Sequence, residues 1–136
     1  MIENFWFEFQ NGKIVRYDAS KGKEILKGII ETDEGSHYLG EVAFVDYHSP
    51  ISLTNVLFKN TLYDENASCH LAIGEAFPEC IADGLELSRE ELVGRGLNSS
   101  HEHVDFFMGT SDLEVIAVLK NGNKTVIMKD GNFVEV

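Results

Sequence analysis

Phe5, Phe7 and Phe9 alternate with Trp6 and Glu8 near the start of the chain, and Lys13-Ile-Val-Arg-Tyr17 resumes a β-prone pattern after Asn11-Gly12. Asn-Gly accepts the positive φ angles of a type I′ turn, so this pattern predicts an opening hairpin. Over residues 20–32, Ile25, Leu26, Ile29 and Ile30 recur between lysines and acids, the spacing of one apolar helix face. A strand is expected over 41–45, a turn-rich loop over 46–50 and a short helix over 61–67. Ser88 followed by Glu91 reads as a capping box, with Gly94 or Gly96 ending the helix it starts. Alternating runs at 102–108, 113–120, 124–129 and 132–136, punctuated by Asn121-Gly122 and Asp130-Gly131, predict strands joined by hairpins. The sum is an α+β fold: a largely antiparallel sheet, a few short helices on one side, and terminal β-hairpins. Residues 1–136 are expected to form a single domain.

Charge narrows the function classes. Eleven Lys and Arg stand against 23 Asp and Glu, a formal net charge of -12, which repels phosphate backbones and anionic headgroups and argues against nucleic acid and membrane partners. The first residues lack the basic and apolar regions of a secretory signal, and no apolar run approaches about 18 residues, so a cytoplasmic protein is expected. Cys69 and Cys80 lack Cys-x-x-Cys spacing, which predicts two reduced, mostly buried thiols rather than a disulfide or zinc finger. The chain contains no dinucleotide fingerprint, P-loop, Gly-x-Ser-x-Gly elbow or His-Glu-x-x-His helix.

Metal chemistry is the reactive class with positive signals. In His101-Glu-His-Val-Asp105, a strand would put His101, His103 and Asp105 on one face, where they are either metal ligands or the polar side of a half-solvated strand. His70, beside the apolar run Leu71-Ala-Ile-Gly74, is either a hydrogen-bonded core histidine or a ligand. Glu41, at the start of an apolar strand, is either solvated or a ligand. Asp64-Glu65-Asn66 is a solvated turn or the rim of a site, and His37 and His48 are read as surface residues.

Three segments, LGEVAFV at 39–45, NTLYDENASCHLAIGEAFP at 60–78 and GLNSSHEHVDFFMG at 96–109, together resemble the carboxy-terminal part of the thermophilic-type metallo-aminopeptidases, the family of aminopeptidases T and S. The resemblance implies that Glu41, His70, His103 and Asp105 are ligands of a two-metal centre holding zinc or cobalt, with Asp105 or Glu41 bridging the ions. It further implies a peptide substrate and a homodimer. His101 falls where the family fixes no ligand, which suits a place just behind the ligands. Two departures stand out: Phe77 occupies a family tyrosine position, and the upstream segment that carries another glutamate ligand and the general-base glutamate has no counterpart here. The implied function is therefore an aminopeptidase present as a portion with the general base outside it. The competing expectation is a catalytically silent interaction or assembly module that keeps the fold and a partial metal site.

Overall fold

Hydrogen bonds at the ends of the elements show why most of them start and stop where local sequence rules place them. The computed structural model describes residues 1–135; the final residue of the expected strand at 132–136, Val136, lies outside the described residues. β1 (Glu3–Gln10) and β2 (Lys13–Lys21) pair antiparallel, and the turn between them holds Asn11 at φ 51° and Gly12 at φ 82°, the positive pair that a type I′ turn requires. The expected helix over 20–32 is shorter. Ser20 and Lys21 continue β2, Gly22 turns the chain at φ 74°, and α1 spans Lys23–Ile30. Leu26 and Ile30 are buried while Ile25 is 53% exposed, so the apolar face is narrower than its spacing suggests.

β3 covers Leu39–Ala43, two residues earlier than expected, because Val45 has left the ladder and its N–H donates to Cys69 Sγ at 3.2 Å. α2 (Pro50–Thr54) was not foreseen; Ser49 caps it by accepting from Ser52 N, with Pro50 at its first position. α3 (Thr61–Asp64), capped by Asn60, runs into a 3₁₀ turn at Glu65–Ala67, in agreement with the helix expected there. β4 (His70–Gly74) is a second unforeseen element: its mostly buried pattern lacks the alternation that marks a half-exposed strand. α4 (Arg89–Gly94) carries the complete Ser88/Glu91 capping box, and the chain leaves it through Gly96 at φ 99°. β5 (His103–Phe107), β6 (Val115–Val118), β7 (Lys124–Lys129) and β8 (Asn132–Phe133) follow, with Asp130 and Gly131 at positive φ between the last two.

The α+β class is as expected, but the strands are divided among three antiparallel sheets, β1-β2, β3-β4-β5 and β6-β7-β8, rather than gathered in one. The chain forms two compact units. The first contains Met1–Glu41 and Ala72–Asp105, with a core that includes Ile14, Leu26, Ile30, Ile73 and Leu92. The second contains Val42–Leu71 and the residues from Phe106 onward, where Cys69 and Met128 are buried and their sulfurs lie 3.8 Å apart. Both cysteines are free, as expected, but Cys80 is exposed because it sits in a 3₁₀ turn on the surface.

Candidate metal centre

In the first unit the approach to β5 is fastened before the strand begins. Asp33 Oδ1 accepts from Ser36 N (2.9 Å), Ser36 Oγ (3.0 Å) and Ser100 Oγ (2.8 Å), and Oδ2 accepts from His101 N at 2.7 Å. The His101 N–H above all, aided by the Ser100 and Ser36 donors and opposed by desolvation, holds the Asp33 carboxyl well below the usual carboxylate range. Asn98 Nδ2 donates to the carbonyls of Gly35 (2.9 Å) and Gly74 (2.6 Å). Glu75 adds contacts of its own: its N–H donates to Glu102 O at 2.7 Å, and its carboxylate accepts from Ser100 N.

Three sequence candidates meet inside this frame. His103 Nε2 lies 3.3 Å from Glu41 Oε2 and 3.5 Å from Asp105 Oδ1. His103 Nδ1 donates to the Glu75 carbonyl at 2.7 Å; a carbonyl only accepts, so Nδ1 carries a proton and Nε2 is the nitrogen turned to the carboxylates. The Asp105 side chain is 15% exposed, and its Oδ1 is buried with no hydrogen-bond donor among the described residues. Gly40, just before Glu41, lets the backbones close up: a Cβ there would come within 2.3 Å of Glu75 O.

His70 opens β4 at 3% exposure, in the second unit, with Nδ1 donating to the Ser68 carbonyl at 2.9 Å. His101 does not share the β5 face as expected, because the strand starts only at His103; its backbone serves Asp33 and its side chain is exposed. Phe77 is 44% exposed, and its ring stands edge-on to that of His103 at 5.1 Å, so this side chain borders the cluster without a hydroxyl. The Asp64 segment is resolved as structural, since that carboxylate accepts from Phe58 N and Asn60 N. His37, expected on the surface, is only partly exposed. Asp33 and Glu75 were missed because the contacts that tie them to the 100–103 segment are made by residues distant in sequence.

A family model described as thermophilic metalloprotease (M29) matches residues 1–133. The chain belongs to the M29 family. Among curated relatives, "Aminopeptidase AmpS" of Bacillus subtilis (strain 168) is 55% identical over 133 residues, which are 98% of this chain and 32% of that protein. "Aminopeptidase 2" of Geobacillus stearothermophilus is 47% identical with the same coverage. The solved structure of wild-type AmpT from Thermus thermophilus matches with a TM-score of 0.83 at 36% identity, again over 98% of this chain and 32% of that one. The chain thus spans about a third of the length of the M29 relatives it matches, corresponding to a carboxy-terminal part. Membership of this family implies a metal cofactor.

Proposed function

We propose that this chain supplies the metal-binding portion of an aminopeptidase, with Glu41, His70, His103 and Asp105 as ligands of two divalent ions, zinc or cobalt, and a peptide as substrate. The observation that carries the reading is the buried Oδ1 of Asp105, with no hydrogen bond among the described residues and 3.5 Å from His103 Nε2. A buried carboxylate oxygen without a hydrogen bond is costly unless a cation serves it. The donor set fits: imidazole and carboxylate suit zinc and its neighbours.

Divalent ions bound there would polarise the scissile carbonyl and lower the pKa of a water nucleophile. The chain's own residues orient both imidazoles, with each Nδ1–H committed to a backbone carbonyl, and Asp105 would supply a carboxylate oxygen to the centre. The carboxylate that moves the proton is assigned to the part of the enzyme outside these 136 residues. The chain is read as cytoplasmic, and the working enzyme as a homodimer; no helix among the described residues is long and apolar enough to cross a membrane. Phe77 favours one further reading, a catalytically silent module, because a hydroxyl donor lost at such a centre costs about 10²–10³ in rate.

Titration calorimetry with zinc on the metal-free 136-residue chain tests the proposal. The expected result is saturable binding that disappears in His103→Ala, together with background hydrolysis of amino-acid p-nitroanilides. Absence of zinc uptake by folded chain overturns it.

A further inference from the structure

Glu75 touches the β5 approach at three points, and each contact uses a different part of the residue. Its N–H donates to Glu102 O at 2.7 Å, its C=O accepts from His103 Nδ1 at 2.7 Å, and its carboxylate accepts from Ser100 N. Ser100 is itself anchored, since its Oγ donates to Asp33 at 2.8 Å and accepts from Glu102 N at 3.0 Å. Two glycines make the approach feasible: a Cβ on Gly74 would lie 2.0 Å from Glu102 O, and one on Gly40 would lie 2.3 Å from Glu75 O. The Glu75 carbonyl is therefore held from the β3 side by Gly40 and from the 100–103 side by the residue's own carboxylate. Arg89, whose Nη2 is 3.8 Å from Glu75 Oε2, is 62% exposed and contributes little.

We propose that Glu75 is a positioning residue for the metal centre: its carboxylate, by fixing Ser100, holds its own carbonyl against His103 Nδ1 and so presents Nε2 to Glu41 and Asp105. The inference rests on the metal-centre reading and names a residue behind the ligands that sets one of them. A merely stabilising glutamate would leave the imidazole tautomer unchanged when removed. A positioning one would not, because an imidazole released from the carbonyl distributes its proton between both nitrogens.

The test is long-range ¹H–¹⁵N NMR of histidine-labelled, metal-free 136-residue chain at about pH 8, where imidazoles are neutral. Zinc calorimetry is run on the same samples. Wild-type His103 is expected in the Nδ1–H form alone. Glu75→Gln, whose amide oxygen still accepts from Ser100 N, keeps that signature. Glu75→Ala gives mixed tautomers and binds zinc about tenfold more weakly. If Glu75→Ala does not fold, Glu75→Asp, whose shorter side chain withdraws from Ser100, shows the same shift. A wild-type His103 protonated on Nε2 overturns the proposal, as does a folded Ala or Asp variant with an unchanged tautomer and zinc affinity within about twofold. Wild type that fails to bind zinc defeats the metal reading instead, and the tautomer results still decide the role of Glu75.

Discussion

Asp33 and Asp105 are aspartates of the same unit, both partly withdrawn from water, and the protein treats their charges in opposite ways. Around Asp33, the Ser36 and Ser100 hydroxyls and the Ser36 and His101 N–H groups supply donors to both oxygens. Around Asp105, Oδ1 is buried without a hydrogen bond among the described residues, and His103 Nε2 lies 3.5 Å away. The first environment favours the carboxylate enough to lower its pKa; the second leaves a negative oxygen uncompensated. A carboxylate saturated by the protein is structural, whereas the one left short of donors is where the proposed metal reading rests.

Exchanging the two lesions is the strongest way to break this contrast. Asp105→Asn should weaken zinc binding by about a hundredfold or more while leaving the urea midpoint unchanged or higher, since it removes an uncompensated charge. Asp33→Ala should do the reverse in stability, losing about 2–3 kcal/mol because buried donors of Ser36 and Ser100 are stranded. If Asp105→Asn destabilises as much as Asp33→Ala, the distinction between the two fails.

Acid sharpens the comparison from the Asp33 side. Its pKa is lowered in the folded protein, so the stability it contributes is fully present above the unfolded value of about 3.9 and drains away as pH falls through the folded value. Urea midpoints of wild type and Asp33→Asn should therefore converge as pH drops from about 5 towards 2; a constant gap would show that the Asp33 donors act without regard to charge. Phe77→Tyr has the smallest expected effect. At a half-exposed ring it should alter the unfolding free energy in urea by less than about 0.5 kcal/mol, and zinc titration should detect no more than a twofold change.

Features legible in the sequence are those whose cause is local. Asn11-Gly12 and Ser88 with Glu91 announce their turn and cap because the deciding backbone angles and hydrogen bonds lie within a few residues. β4 was illegible because His70-Leu-Ala-Ile-Gly74 is buried almost throughout and presents no alternation, and α1 was drawn too long because nothing nearby signals that Ser20 still belongs to β2. At the site, the spacing of His103 and Asp105 puts both on one face of β5, whereas Glu41 is singled out only by the family resemblance. Asp33 could not be named from the chain, because its partners Ser100 and His101 are 67 and 68 positions away. Glu75 was equally silent: two of its three contacts are made by the backbone, which any residue possesses.

The division of the chain into two units has a consequence for its synthesis. The polypeptide passes from the first unit to the second after Glu41, returns after Leu71 and leaves again after Asp105, each time inside a strand. Neither unit is a continuous stretch, so a ribosome cannot deliver one finished and then begin the other. Until Asp105 has emerged the first unit lacks β5, and β4, the middle strand of its sheet, has one edge bare. An apolar strand waiting with an open edge is what chaperones bind and aggregates recruit. A pause or premature stop between residues 72 and 105 thus exposes this protein more than one placed earlier, before β4 is made.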